Sequence, residues 1–142
     1  MEVALLILDD SVTEPTYATD DSVGFDISTA ETVEIDAGAV ATVRTGLVIA
    51  TPPGWSLFVS LRSSTPNKYG VIQPHGVGIV DQDYCGPQDE IHLQPMNVSG
   101  LSAVIPAGSR IAQGIFVRVT QTEWTRCYEP GAESRGGFGS TD

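Results

Sequence analysis

RIAQGIFVRV, residues 110–119, is the stretch of sequence that decides the fold. The hydrophobicity of its residues alternates along the chain, and an alternation of period two is typical of a β-strand with one buried face. Glycine inside a strand indicates a bulge or a close approach of another part of the chain, which is the expectation for Gly114. This stretch therefore predicts a long strand at residues 110–119.

Shorter runs of strand character precede this stretch, at residues 3–8, 32–35, 40–50, 56–61, 76–80 and 90–93. Turn-forming residues rich in glycine and proline separate them. The one helical expectation is a short turn at residues 64–69, with Pro66 near its start. Many short strands at this spacing predict an all-β fold, a jelly-roll-like barrel or sandwich.

Length and charge limit the function. The chain has 142 residues, enough for one compact domain but too few for two. Its 18 acidic and 7 basic residues give a net charge of −11. This balance argues against a nucleic-acid partner, because phosphate contacts along a duplex need clustered Lys and Arg. A nucleotide ligand would need local arginines and a divalent cation to offset the general repulsion.

The cysteines and the amino-terminal run indicate a cellular compartment. Cys85 and Cys127 form no disulfide or metal-binding pattern, so both are expected to be free thiols in a reducing cytosol. The apolar run at residues 3–8 has an acidic flank and no basic segment, which predicts a strand rather than a signal peptide. No run approaches the length of a membrane span. We therefore expect a cytoplasmic protein without membrane contact.

Residues 130–142, PGAESRGGFGSTD, differ in composition from the β domain predicted at residues 1–129. They are rich in glycine and have no periodicity, so they cannot hold a core position by themselves. A frayed terminus is one interpretation. The other is an arm that closes on a ligand, with Phe138 against something flat and the hydroxyls of Ser140 and Thr141 against something anionic.

Asp81 is the first candidate for chemistry. It follows an apolar strand and precedes Tyr84, and a carboxylate there can act as a general base where it reaches a water. A simple turn residue is the commoner role for such an aspartate. Gly76 and Gly78 bracket Val77 and leave backbone N–H and C=O groups open to close approach. Such groups can read the edge of a nucleobase without side chains.

Arg62, Ser63 and Ser64 form a second candidate group. Arginine supplies a planar fork and serine a short hydroxyl, both suited to phosphate oxygens, although a solvated arginine in a loop is the commoner case. His75 and His92 lack the spacing of a bound catalytic metal. Any metal would therefore be Mg²⁺ held mostly by water and phosphate.

Gln113 is a third candidate. Alternation places Arg110 and Ala112 on one face of the strand, and Ile111 and Gln113 on the other. A glutamine beside isoleucine in an otherwise apolar strand needs a hydrogen-bond partner. A structural hydrogen bond and a ligand contact both remain open.

Five short motifs follow one another along the chain, at residues 24–27 (Gly-Phe-Asp-Ile), 62–64 (Arg-Ser-Ser), 78–84 (Gly-Ile-Val-Asp-Gln-Asp-Tyr), 110–113 (Arg-Ile-Ala-Gln) and 137–141 (Gly-Phe-Gly-Ser-Thr). In sequence and order they resemble the five motifs of the trimeric dUTPase family. The third and fifth are the most specific. The resemblance implies a jelly-roll homotrimer whose three active sites lie at subunit interfaces and are closed by the glycine-rich C-terminal arm.

The resemblance also implies the reaction. A member of this family hydrolyses dUTP to dUMP and pyrophosphate, which keeps uracil out of DNA and supplies dUMP for dTMP synthesis. Asp81 would activate the attacking water, and Mg²⁺ would bridge the phosphates and fix the α-phosphorus for in-line attack. Asp26 would contact the metal through water. The expected partners are dUTP and two further copies of the chain, with no nucleic acid or membrane.

The same resemblance assigns the contacts to substrate. Tyr84 would pack under the deoxyribose and reject a 2′-hydroxyl, and Phe138 would stack on uracil. Ser140 and Thr141 would cap the γ end. The implied substrate-binding residues are His75, Gly76, Val77, Gly78, Ile79, Val80 and Tyr84 for the nucleoside; Arg62, Ser63, Ser64, Gln113 and Arg135 for the phosphates; and Phe138, Gly139, Ser140 and Thr141 in the arm.

Some positions depart from the family pattern. Residues 85–90 replace the usual Arg-Gly-Glu after Asp-Tyr with a longer, substituted loop. In the arm, Glu133 occupies the usual arginine position and Arg135 directly precedes Gly136. His75 lies where many relatives have Asn.

Two other functions fit the same fold. One is a dCTP deaminase or a bifunctional deaminase and diphosphatase, and the other is a non-catalytic jelly-roll binding protein. The intact third motif and the arm sequence favour the diphosphatase. A structural protein would have no need for Asp81, Tyr84 and Phe138 together.

Overall fold

The computed structural model describes residues 1–129, 131–134 and 136–137. These residues form short strands and a single helix of five residues, so the predicted all-β fold is confirmed. The elements in chain order are β1 (Leu5–Ile7), β2 (Thr16–Tyr17), β3 (Phe25–Ser28), β4 (Val33–Ile35), β5 (Val43–Arg44), β6 (Leu47–Ile49), β7 (Trp55–Leu61), α1 (Thr65–Tyr69), β8 (Val71–Ile72), β9 (Gly78–Val80), β10 (His92–Leu93), β11 (Met96–Asn97), β12 (Ala103–Ile105) and β13 (Arg110–Arg118).

A five-stranded antiparallel sheet organises the molecule. Its strand order is β2-β3-β13-β7-β9, so the predicted long strand β13 lies at the centre, paired with β3 on one side and β7 on the other. Four antiparallel strand pairs accompany this sheet: β1-β6, β5-β10, β8-β11 and β4-β12. Because β9 is an edge strand of the sheet, the residues around it are reachable from solvent.

The core consists of aliphatic side chains contributed by most of the strands. Ile27, Leu57 and Ile111 are fully buried, and Ile105 and Val43 join them from the paired strands outside the sheet. Burying one such side chain contributes about 1.5–3 kcal/mol relative to leaving it exposed. Strands β3, β7 and β13 are therefore held in fixed positions, and so are the residues at their ends.

Gly114 permits the central strand to approach its neighbour. A Cβ at this position would overlap the ring of Phe25 on β3 and lie 3.1 Å from a methyl group of Leu57 on β7. The close approach predicted for this glycine is confirmed.

The bulge lies earlier in β13 than Gly114. The register shifts between Arg110 and Ala112, so strict alternation fails there, and Ile111 and Ala112 are both buried. The prediction that Arg110 shares a face with Ala112, and Ile111 with Gln113, is therefore wrong at this point. The physical reason is that a bulge adds one residue to one strand and reverses the side-chain alternation beyond it.

Local turns also divide the predicted runs. Residues 40–50 split into β5 and β6 at Gly46, whose φ of 69° lies in the left-handed region that favours glycine. The short helical turn is confirmed as α1, with Pro66 in its first turn and Gly70 at its carboxyl end. Several short strands, such as β2, β8 and β11, gave no periodic signal because two residues cannot display one.

The segment after β13 contrasts with the sheet. Residues 120–129 form no strand, and Trp124 and Tyr128 are strongly exposed. Cys85 and Cys127 are both free and exposed, as expected. Within the described residues, no helix has the length and apolar character needed to cross a membrane.

Candidate active site

A cavity of about 290 Å³ lies beside the edge strand β9. This volume is at the small end of ligand sites in proteins, which suits a nucleoside-sized group. Its lining residues are Val59, Gln73, His75, Gly78, Ile79, Val80, Asp81, Tyr84, Ile91, His92, Leu93 and Gln94. The structure thus brings together six residues predicted for base, sugar and catalysis, whereas Gly76 and Val77 lie nearby in the chain but do not line the cavity.

Asp81 lies at the rim of this cavity, directly after β9. Ser56 Oγ donates a hydrogen bond of 3.1 Å to the carbonyl of Val80, which anchors the end of the strand. The Tyr84 amide lies 3.4 Å from the Asp81 carbonyl and closes a turn. The carboxylate is therefore exposed to water on a fixed backbone, as a general base requires.

Tyr84 forms part of the cavity wall through a backbone contact. Its hydroxyl donates a 2.9 Å hydrogen bond to the carbonyl of Glu90. Tyr84 is 40% exposed and lines the cavity, so it can contact a ligand there. This contact fixes Tyr84 even though residues 85–89 depart from the family pattern.

Glu90 is buried and ties the same wall to strand β5. Its Oε1 accepts a 2.7 Å hydrogen bond from the amide of Gly46, and its Oε2 accepts a 3.0 Å bond from Arg44 Nε. This hydrogen bond and the attraction between the charges raise the pKa of the Arg44 guanidinium. A buried charge costs free energy unless it is paired and hydrogen-bonded, and the Glu90 carboxylate is both.

Gln73 anchors another part of the cavity lining. Its Oε1 accepts a 2.8 Å hydrogen bond from the amide of Leu61, and its Nε2 donates a 3.1 Å bond to the carbonyl of Val59. The same nitrogen lies 3.0 Å from Nε2 of His75. The side chain of Gln73 therefore continues the backbone pairing along β7 where the edge strand is absent.

A second group of side chains, which we call the Asp26 cluster, consists of Asp26, Arg62 and Arg110. Asp26 is only 8% exposed and its two oxygens face the two arginines, with Oδ1 3.2 Å from Arg62 Nε and Oδ2 3.1 Å from Arg110 Nη1. The arginine side chains are 30% and 56% exposed. Such an arrangement holds two cations at the surface, where an anion can reach them.

The bulge in β13 positions the loop that carries Arg62. The carbonyl of Ile111 accepts a 2.8 Å hydrogen bond from the Arg62 amide and a 2.7 Å bond from the Thr65 hydroxyl. Ser63 and Ser64 lie between these two anchors and are exposed. Ser64 makes no side-chain capping bond to α1, so its hydroxyl is not committed to the helix.

Gln113 lies beside the Asp26 cluster. It pairs with Asp26 on β3 and with Ser60 on β7, and directly paired residues share one face of a sheet. Among the described residues its side-chain amide makes no hydrogen bond. The described residues therefore offer no structural hydrogen bond to the Gln113 side chain. The contact of Gln113 with a ligand stays a prediction.

The cavity and the Asp26 cluster are separate within one chain. No member of the cluster, nor Ser63, Ser64 or Gln113, lines the cavity. Arg135, Phe138, Gly139, Ser140 and Thr141 lie outside the described residues, so their predicted roles in the arm stay predictions.

The described side chains do not form a metal-binding site by themselves. Among the described residues no group of three His, Cys, Asp or Glu side chains is placed to hold an ion. Both oxygens of Asp26 face arginines, so its predicted water-mediated contact to a metal is untested. A divalent ion at this site would depend on phosphate and water ligands, as Mg²⁺ commonly does.

Sequence reasoning missed several residues of the site. Gln73, His92 and Gln94 line the cavity, and Arg110 completes the Asp26 cluster. Arg110 was visible only as part of a motif, because its partner Asp26 is 84 residues away in the chain. The polar residues next to the cavity gave no local signal, since neither spacing nor composition distinguishes them from surface residues.

Fold and site together define an all-β protein with a nucleoside-sized cavity, a carboxylate at its rim and a separate arginine pair. The chain belongs to the dUTPase family, whose model matches residues 10–142. It is 36% identical to the deoxyuridine 5'-triphosphate nucleotidohydrolase of Wolinella succinogenes over 143 residues, covering 99% of this chain and 94% of the relative.

Solved structures agree with this assignment. The crystal structure of the dUTPase from Streptococcus mutans is 30% identical, with a TM-score of 0.76 and coverage of 87% of this chain and 100% of that one. The predicted jelly-roll-like architecture is thereby confirmed. A mutant dUTPase from phage phi11 of S. aureus shares the fold, with a TM-score of 0.81 at 19% identity over 91% of this chain and 98% of that one. The structure of that phage protein reveals the coordination of a structural Mg(II) ion.

Proposed function

We propose that this chain hydrolyses dUTP to dUMP and pyrophosphate, with Asp81 as the general base. The single observation that carries the mechanism is the exposed Asp81 carboxylate at the rim of a nucleoside-sized cavity. Asp81 takes a proton from water, and the water oxygen bonds to the α-phosphorus. The bond from the α-phosphorus to the bridging oxygen breaks, and pyrophosphate leaves with that oxygen. General-base catalysis of this kind contributes about 10²–10⁴ in rate.

The cavity would hold the nucleoside. Backbone groups of Gly78 and Ile79 on the edge strand suit the edge of uracil, since a fixed N–H donor excludes cytosine, which presents a donor where uracil presents an acceptor. Tyr84 would lie against the deoxyribose with its hydroxyl held by Glu90. A ring fixed in this way leaves little room for a 2′-hydroxyl.

The Asp26 cluster and its neighbours would hold the triphosphate. Arg62, Ser63, Ser64 and Gln113 present donors on one anchored loop and one central strand. Because these groups lie apart from the cavity of the same chain, we infer a homotrimer in which one subunit's cavity meets a neighbour's cluster. The arm, with Arg135, Phe138, Gly139, Ser140 and Thr141, would close the site.

The reaction would use Mg²⁺, which neutralises phosphate charge when it is bound. The net charge of −11 and the small number of basic residues make such neutralisation necessary for a polyanionic substrate. Within the chain, Arg62 and Arg110 would supply the remaining positive charge, and Asp26 would keep both guanidinium groups oriented.

Product analysis tests the proposal directly. Purified protein is given dUTP, dCTP, dTTP and UTP separately with Mg²⁺, and pyrophosphate, nucleoside monophosphate and base conversion are quantified. We expect dUMP and pyrophosphate from dUTP alone. Conversion of dCTP to a uracil nucleotide at a comparable rate would instead identify a deaminase. No turnover of any nucleotide by an intact oligomer would identify a binding protein.

A further inference from the structure

The orientation of the Gln73 amide is determined by its backbone partners. An amide N–H can only donate, so the atom 2.8 Å from the Leu61 nitrogen must be the side-chain oxygen. A carbonyl can only accept, so the atom 3.1 Å from the Val59 oxygen must be the side-chain nitrogen. The usual ambiguity between oxygen and nitrogen in a glutamine does not arise here.

This orientation determines where His75 carries its proton. The Gln73 nitrogen has two hydrogens, and one is used by Val59. The other points to Nε2 of His75 at 3.0 Å, which must then accept. A neutral imidazole whose Nε2 accepts carries its hydrogen on Nδ1. His75 lines the cavity, and among the described residues its Nδ1 makes no hydrogen bond.

We propose that Gln73 is a positioning residue that holds His75 as the Nδ1–H tautomer, so that the cavity offers a carbonyl oxygen of the pyrimidine ring one fixed side-chain donor. This rests on the proposed function for the identity of the ring. Both residues line the cavity, and Gln73 is itself fixed by strand β7. A donor that cannot change tautomer favours a carbonyl oxygen over an amino group at the same place.

The tautomer can be measured directly by ¹⁵N-resolved NMR at a pH where imidazole is neutral. The chain has two histidines, so the spectrum is simple and replacing one histidine assigns both. His92 is an internal reference, because its Nδ1 lies 2.9 Å from the carbonyl of Glu90 and must also carry hydrogen. We expect both histidines as Nδ1–H in the wild-type protein. An Nε2–H tautomer at His75 would overturn the proposal.

Gln73→Glu inverts the bond to His75. Its carboxylate accepts where the amide donated, so we expect His75 to become Nε2–H while His92 does not change. Affinity for deoxyuridine, a neutral probe without phosphates, is expected to fall about tenfold as Nδ1 turns from donor to acceptor. Gln88→Glu is the matched control, because it adds the same charge at an exposed residue that does not line the cavity. The side chain of Gln88 makes no hydrogen bond within the described residues, so we expect less than about a twofold change.

A double-mutant cycle separates positioning from support of the wall. In a His75→Ala background, Gln73→Glu should change deoxyuridine affinity by less than about twofold, because Gln73 no longer has an imidazole to orient. An undiminished tenfold loss in that background would mean that Gln73 acts only on the wall. Gln73→Met, which removes the donor without adding charge, repeats the cycle if the glutamate variant is unstable. The tautomer is read without nucleotide, so an Nδ1–H result together with no hydrolysis of dUTP would reject only the proposed function.

Discussion

Polar side chains are held in place by different contacts in the cavity and in the Asp26 cluster. Around the cavity, side chains are fixed by backbone atoms: Gln73 by Leu61 and Val59, and Tyr84 by the Glu90 carbonyl. In the Asp26 cluster, side chains are fixed by other side chains through charge. The cavity is therefore as rigid as the sheet, whereas the exposed arginines keep some rotational freedom.

This difference matches what each region would bind. A planar base is discriminated by donors and acceptors at fixed places, which backbone anchors supply. A triphosphate is flexible and highly charged, so long side chains that can adjust are sufficient and a buried carboxylate need only keep them nearby. We therefore expect substitutions at the cavity to change specificity or catalysis, and substitutions in the Asp26 cluster to change affinity for the phosphates.

The largest effect is expected at the cavity rim. Asp81→Asn removes the general base while keeping the shape of the residue, so kcat for dUTP should fall by about 10²–10⁴ with little change in deoxyuridine affinity. The measurement is steady-state kinetics with a binding assay. Asp83→Asn is the matched control in the same turn, since Asp83 does not line the cavity. Near-wild-type turnover of Asp81→Asn would remove Asp81 as the base, and equal losses in both variants would attribute the effect to the charge of the turn.

The next effect tests whether the two regions are sufficient without the arm. Truncation after Glu129 leaves the cavity and the Asp26 cluster intact, and we expect the oligomer to persist while turnover falls about 10²-fold through lost positioning. Light scattering reports the assembly and pyrophosphate release reports the turnover. Unchanged activity would show that the arm has no role in closing the site.

A smaller effect is expected in the Asp26 cluster. Asp26→Asn removes the charge that orients Arg62 and Arg110, so KM for dUTP should rise about tenfold while deoxyuridine affinity stays constant. The free energy of unfolding should fall by about 1–2 kcal/mol, less than for a fully buried pair because both arginines are partly exposed. If deoxyuridine affinity falls equally, the two regions are not independent.

The smallest effect concerns sugar selection in the cavity. Tyr84→Ala should raise kcat/KM for UTP relative to dUTP by about five- to tenfold, because the ring no longer blocks a 2′-hydroxyl. Tyr84→Phe keeps the ring and loses only the bond to Glu90, so it should relax selectivity less than Tyr84→Ala does, and the difference measures how much that bond holds the ring. Competition between the two nucleotides measures this ratio. Unchanged rejection of UTP by Tyr84→Ala would place sugar selection elsewhere.

Local pattern was sufficient for some elements and not for others. The central strand β13, the close approach at Gly114 and the short helix α1 followed from alternation, glycine and proline. The bulge after Arg110 did not, because alternation in the sequence cannot show that one extra residue has been added against the partner strand. The resulting positions of Arg110 and Gln113 next to Asp26 were therefore not foreseen.

The sequence by itself determined the all-β class, the order of the five motifs and the candidate base Asp81, since periodicity and short motifs are properties of neighbouring residues. Tertiary structure alone decided that Asp26 pairs with Arg62 and Arg110, and that Gln73 orients His75. Contacts of this kind join atoms on different strands. They depend on strand register and on the direction of individual hydrogen bonds, which are determined only when the sheet has formed.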